Sequence, residues 1–290
     1  MLQMVKNIAL FTVAALFVGC NSVDMKGLVA PTGDVINSRF EQSIAMTEGK
    51  PVATLEMEES YTFHVCTDPH INETYNNLRE FSTRLRNDAS VDFGIVLGDC
   101  TDSRNAFQNY VDALSFVEGE QQANKPIFSL IGNHDLFFKG WNEYAKLLGP
   151  SVYWFEVKSG SSKDLFITLD SASGTLGKKQ MEWLKNILAT ERANYRHCVV
   201  LTHTNLFYTD NTQQGSSNMA LEETALLADI FSRNKVTLCL QGHDHHREDL
   251  TLDGVRYTIV GTIRDEAENP EYLAITMSNS GAEYRWEYLK

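Results

Sequence analysis

The chain is expected to fold as an α/β protein in which mixed sheets are flanked by helices, and three observations predict this. In the first half, short apolar, β-branched runs alternate with amphipathic stretches, the pattern of strand–helix units with parallel pairing. The C-terminal part is strand after strand, which suggests antiparallel pairing in a second sheet. Five of the apolar runs end on small polar motifs: Phe63–Cys66 before Asp68-Pro69-His70, Ile95–Leu97 before Gly98-Asp99, Ile127–Ile131 before Gly132-Asn133-His134-Asp135, Val199–Leu201 before His203, and Val236–Leu240 before Gly242-His243-Asp244-His245. Polar residues just past strand carboxyl ends gather along one sheet edge, where α/β proteins bind ligands.

The elements follow in order. Ile36, Phe40 and Ile44 recur at helical spacing and suggest a short helix packed on the main domain. Thr54–Met57 and Tyr61–Cys66 read as strands. Asn76–Arg86 is a helix with Leu78, Phe81 and Leu85 on one face, and Phe107–Glu118 another with Tyr110, Val111, Leu114 and Val117. Trp141–Leu148 is a shorter helix. Strands follow at Val152–Val157 and Leu165–Leu169, then helices at Lys178–Thr190 and Leu221–Ser232. The remaining strands centre on Val236 and Leu250 and span Val255–Val260, Tyr272–Met277 and Tyr284–Tyr288. There is no internal repeat, low-complexity tract or composition break.

At 290 residues the chain can bury one sizeable core. Its formal net charge is −13 and it lacks a long Lys/Arg run. That argues against nucleic acid held by backbone electrostatics, but not against a small phosphate ester, because bound divalent cations would dominate the local field. Lys6, the apolar stretch Ile8–Val18 and the Gly19-Cys20 junction read as an export signal, too short for a good membrane span. The junction resembles the lipobox of bacterial lipoproteins. That resemblance implies a lipidated Cys20 and a chain exported and anchored in the bacterial envelope, touching membrane only through the lipid; the alternative is an ordinary secretory signal or an uncleaved anchor. The organisation is then a signal peptide at 1–20, a tether and accessory segment at 21–60, and one domain at 61–290. Cys66, Cys100, Cys198 and Cys239 lack C-x-x-C spacing and are expected as small, buried, reduced core residues.

Five of the eight histidines fall in the five motifs. Taken in order, D-x-H, GD, GNH followed by Asp, a lone His and GHxH, the motifs resemble those of the calcineurin-like metallophosphoesterase superfamily over residues 61 to 260. The resemblance implies a β-sandwich flanked by helices, an αββα stack of four layers. It also implies a two-metal site that hydrolyses phosphate esters. Such esters resist attack because an anion must approach an anion. Two divalent ions about 3.5–4 Å apart answer this by making hydroxide and clamping both moving oxygens. Mixed carboxylate and imidazole ligands suit Mn, Fe or Zn.

By this resemblance Asp68, His70 and His245 hold the first metal, Asn133, His203 and His243 the second, and Asp99 bridges them. His134 is the catalytic histidine, able to stabilise charge or protonate the leaving oxygen, and Asp102 orients it. Asp102 also stands where purple acid phosphatases carry a Tyr ligand, which argues against a tyrosinate–ferric chromophore. Arg104 is a candidate for substrate phosphate, although it is offset by one from the Arg of phosphoprotein phosphatases. Phe138 and Phe207 are candidates for substrate contact, with packing as the alternative reading. Asp135 either supports a site residue or closes a turn. His64, His197 and His246 are expected to take no part. The substrate is a small phosphomonoester or phosphodiester. Cyclic-nucleotide phosphodiesterase and head-group pyrophosphatase are the alternative activities, and a non-catalytic binding lipoprotein is the reading from another class.

Overall fold

The structure is a computed structural model that describes residues 32–118, 124–207 and 219–290. The signal segment, Cys20 and Tyr208, an aromatic neighbour of Phe207 open to the same two readings, lie outside the described residues. The elements are α1 (Thr32–Thr47), β1 (Thr54–Met57), β2 (Tyr61–Cys66), α2 (Asn76–Asn87), β3 (Phe93–Val96), α3 (Phe107–Ser115), β4 (Ile127–Ser129), α4 (Trp141–Leu147), β5 (Tyr153–Ser159), β6 (Ser162–Thr168), α5 (Gly177–Thr190), β7 (His197–Leu201), α6 (Leu221–Arg233), β8 (Leu238–Gln241), β9 (Glu248–Leu252), β10 (Val255–Ile259), β11 (Glu271–Ser278) and β12 (Gly281–Tyr288).

Two sheets stack face to face. One has seven strands in the order β1-β5-β6-β7-β8-β10-β9, and the other five in the order β12-β11-β2-β3-β4. The inner faces supply an apolar layer rich in phenylalanine. Phe63 stacks on Phe93 at 4.9 Å, Phe128 on Phe155 at 4.0 Å, and Phe155 on Phe166 at 4.7 Å. The two-residue period of a strand sends alternate side chains the other way. Phe166 therefore points inward, while Leu165 and Ile167 join the layer under α5 and α6. On the far side of the five-stranded sheet, Leu78, Phe81 and Leu85 of α2 and Tyr110 of α3 fill the fourth layer. This is the αββα stack. The four cysteines of the described residues are buried and unpaired.

The parallel pairing expected early in the chain is present in β2–β3 and β3–β4. The C-terminal strands do pair antiparallel, but they do not form a sheet of their own. β10 lies parallel to β8 and antiparallel to β9, extending the seven-stranded sheet, whereas β11 pairs antiparallel with β2 and with β12. The helix at the N-terminus is docked: buried Arg39 makes a two-pronged ion pair with buried Asp170, at 2.8 and 3.0 Å, between α1 and the loop after β6. β1 adds a parallel edge strand beside β5.

Candidate metal centre

The carboxyl ends of β2, β3, β4, β7 and β8 bring the five motifs together. Past β2 the chain runs on beside the loop after β3, with the N–H groups of Asp68 and His70 donating to the carbonyls of Gly98 and Asp99 at 3.1 and 3.0 Å. The loop after β4 approaches so closely that a Cβ on Gly132 would lie 2.1 Å from Asp99 Oδ1, so only glycine fits there. Five candidate ligands, Asp68, His70, Asp99, His243 and His245, adopt positive φ, between 47° and 75°. Such backbone is costly for non-glycine residues and persists only where the surroundings over-determine it.

Each carboxylate has one oxygen committed to the protein and the other turned inward. Asp68 Oδ2 accepts from the Thr67 hydroxyl at 2.6 Å and the His243 N–H at 2.9 Å. Its buried Oδ1 accepts no hydrogen bond among the described residues, and lies 3.3 Å from His245 Nε2 and 3.6 Å from His70 Nε2. Asp99 Oδ1 accepts from the His134 N–H at 2.8 Å. Its Oδ2 stands 3.7 Å from His70 Nε2 on one side and 3.3 Å from His203 Nε2 on the other.

The imidazoles are oriented from behind. His203 Nδ1 is 2.9 Å from the Leu97 carbonyl, which takes its N–H and turns Nε2 inward, toward Asn133 Oδ1 at 3.0 Å. His70 Nδ1 is 2.7 Å from Asp102 Oδ1, leaving its Nε2 3.0 Å from His245 Nε2. His243 Nδ1 is 3.3 Å from His203 Nε2. Inward lone pairs facing one another and two carboxylate oxygens repel unless a proton or a cation lies between them. Histidines whose outer N–H is held by a carbonyl or carboxylate are the usual pattern of metal ligands. The residues therefore fit divalent ions. Three groups have donor atoms within 4.8 Å of one another: Asp68, His70 and His245; Asp99, His203 and His243; and His70, Asp99 and His134.

The charges respond to this crowding. Burial works against ionised Asp68 and Asp99, yet the adjacent imidazoles hold both below the usual carboxylate range. Burial also opposes the charge on His70, but Asp102, Asp68 and Asp99 raise it to about 10. His203 rises to about 9 through Asp99 and Asp68 in spite of its burial. His243, desolvated and next to His203, falls to about 4.

His134 stands at the mouth, with a third of its side chain exposed. Its Nδ1 is 2.7 Å from Asp102 Oδ1 and its Nε2 is 4.0 Å from Asp99 Oδ2. Asp102 therefore touches two histidines, where the sequence suggested one. Burial opposes its charge, but hydrogen bonds from His134 and His70 hold its carboxyl far below the ordinary range. Asp135, left open between two roles, is a buried clamp: its carboxylate accepts from the N–H groups of Gly132 at 2.8 Å, Thr101 at 3.0 Å and Cys100 at 3.2 Å, tying the loops after β3 and β4. Ser171 Oγ accepts from the N–H groups of His203 and Thr204 at 3.1 and 2.9 Å. No local sequence signal marks that serine.

Two candidates for substrate contact have other partners in the structure. Arg104 is turned to Glu143 of α4 at 3.4 Å. Phe207 packs edge-on against Tyr257 at 4.9 Å, in the layer outside the seven-stranded sheet. Phe138 is instead on the surface of the loop that carries His134. His246 faces the Asp244 carbonyl and Glu248, and His197 the Ser278 carbonyl, all outside the cluster. A cleft of 620 Å³ opens beside His245, lined by Arg247, Thr262, Arg264 and Glu271 among others.

Comparison with known proteins agrees with this arrangement. No curated protein matches the chain significantly. Among solved structures the fold is similar to GAP50, the anchor in the inner membrane complex of Plasmodium, at 16% identity and a TM-score of 0.63, over 80% of this chain and 85% of that one. It is similar to a dimetal phosphatase from Danio rerio, at 12% identity and a TM-score of 0.53, over 79% and 99% of the two chains. It is also similar to a purple acid phosphatase from yellow lupin, at 14% identity and a TM-score of 0.59, over 80% of this chain and 52% of that one, so the chain spans about half of the lupin enzyme. At these identities the likeness speaks for the fold alone. The family profile reaches further: it covers residues 61–247, every motif of the site included, and by that match the chain belongs to the calcineurin-like phosphoesterase family.

Proposed function

We propose that the protein hydrolyses small phosphate esters at a pair of divalent ions. The observation that carries this reading is the position of Asp99 Oδ2 between His70 Nε2 and His203 Nε2, with its other oxygen already spoken for. Asp68, His70 and His245 would hold one ion, Asn133, His203 and His243 the other, with Asp99 shared. Mn, Fe and Zn suit this mixed donor set. When bound, such ions supply Lewis acidity and lower the pKa of water.

The chain's own residues do the rest. Asp102 accepts the Nδ1–H of His134 and leaves Nε2 facing the site, where the doubly protonated ring delivers its Nε2 proton to the departing oxygen. Asp135 keeps the loops of Asp99 and His134 in register. A phosphomonoester or a phosphodiester, cyclic nucleotides included, fits this chemistry, and a head-group pyrophosphate is the alternative. A non-catalytic binding role is the second reading, since the similar Plasmodium protein is named an anchor. The intact ligand set and a positioned His134 favour catalysis.

The test is a panel of these esters offered to purified protein reconstituted with Mn, Fe or Zn. Turnover supports the proposal. Full metal occupancy with no turnover of any ester overturns it in favour of binding. The export reading has a separate test: mass spectrometry of the mature N-terminus is expected to find acylated Cys20, and an unacylated start elsewhere removes the lipoprotein anchor.

A further inference from the structure

The loop that carries His134 presents two phenylalanines to solvent. Phe137 is 39% exposed and Phe138 45%. The Phe137 ring centroid lies 4.6 Å from that of His134, and the two phenylalanine rings meet at 6.5 Å and 83°, an open corner. The other aromatics of this region turn inward: Trp141 stacks on buried Tyr144. The corner is also held in costly backbone. Phe138 has φ 53° and Lys139 φ 65°, the left-handed region. The loop is fixed at both ends, by the Asp135 clamp at one and at the other by Gly140, where an added Cβ would lie 2.1 Å from the Asp135 carbonyl oxygen.

Two exposed rings on a strained, braced loop beside the candidate acid are unfavourable for folding alone. We propose that Phe137 and Phe138 form a platform that receives a planar aromatic ring, a nucleobase or an aryl group, carried by the leaving alcohol of the ester whose bridging oxygen His134 protonates. This rests on the hydrolytic reading above. Water oxygen bonds to phosphorus and gives up a proton to solvent, the bond from phosphorus to the leaving oxygen breaks, that oxygen takes the proton from His134 Nε2, and solvent reprotonates His134; the aromatic ring itself does not react. An open corner offers one face and one edge to a third ring, the geometries aromatic groups prefer. The patch is two rings wide. Among the described residues the other strongly exposed apolar side chains belong to other elements: Met46 to α1, Val52 to the segment before β1, Leu221 and Leu226 to α6, Leu250 and Leu252 to β9, and Tyr288 to β12. That width suits one ring and is too small for an acyl chain.

The experiment compares benzyl phosphate with cyclohexylmethyl phosphate on the metal-reconstituted full chain. Both leave as primary alkoxides of similar width, and only one has a π face. The wild type is expected to prefer the benzyl ester in kcat/KM. In the Phe137→Leu/Phe138→Leu double variant that preference should fall about 5-fold or more, the scale of one ring stacking on aromatic side chains, while Phe138→Trp retains it. The ratio cancels any general damage to His134. An unchanged ratio, or equal losses on both esters, overturns the platform. The same comparison with the non-hydrolysable benzyl and cyclohexylmethyl phosphonates, read as binding affinity, is independent of turnover. Selective weakening of the benzyl compound in the double variant supports the platform even if no ester is hydrolysed, and equal affinities in the wild type overturn it.

Discussion

Asp102 Oδ1 lies 2.7 Å from His134 Nδ1, and the same oxygen lies 2.7 Å from His70 Nδ1. One carboxylate thus orients both a candidate ligand and the candidate acid. Asp102→Asn keeps the shape and one accepting oxygen but removes the negative charge that both ring N–H groups face. It is expected to weaken metal binding by about 10–100-fold and to lower kcat as well. A defect confined to kcat, with metal affinity unchanged in a titration, would show that the contact with His70 carries no weight.

His134 and His203 should separate chemistry from metal binding. His134→Ala is expected to keep its metals and lose about 10²–10⁴-fold in kcat, the range for a general acid. The loss should be larger for an alkyl ester than for a nitrophenyl ester, whose phenolate departs unaided. His203→Ala should lose metal instead. Elemental analysis beside the two rate series checks both, and metal loss from His134→Ala would make that residue a ligand.

Asp99→Asn should cost more metal than loss of any single-site ligand, because its Oδ2 faces both clusters. Two full equivalents retained after dialysis would defeat the shared-ligand assignment.

His64 sets an acid limit on the fold. It is buried in β2 against Tyr272, both ring nitrogens lack partners among the described residues, and burial lowers it to about 4. Its folded pKa lies below the unfolded value near 6.5, so its contribution is present above pH 6.5 and lost as pH falls toward 4. Over that window the cost is on the order of 3 kcal/mol. Denaturant melts at pH 7 and pH 4.5 should show His64→Leu gaining on the wild type at the lower pH. A stability difference that does not change with pH would place the acid limit elsewhere.

The motifs were legible because each ligand type sits just past a run of buried strand residues, such as Ile95–Leu97 before Asp99. The assignment of the late strands was not. β11 pairs Leu273 with Val65, about two hundred residues apart, and nothing local in either segment names its partner. Arg104 and Phe207 show the same limit on the scale of a loop. Both follow a motif closely, yet a short 3-10 turn carries Arg104 toward α4, and Phe207 turns under the sheet to meet Tyr257. Asp135 was ambiguous because its three donors come from two separate loops.

The left-handed backbone at the ligand positions sets stability against retention of the site. A glycine there would relax the chain while deleting a donor atom. His245, at φ 60° and with a third of its side chain exposed, is the clearest case. In metal-free protein His245→Gly should be more stable than His245→Ala by about 1 kcal/mol, the reverse of the usual order, and equal thermal midpoints would deny the strain. Mutation that only rewarded sturdiness would erode these loops toward glycine, so a lineage released from metal binding would drift away from this set. Five of the seven candidate donors stand at such positions, so the fold alone does not account for them and what they would hold does.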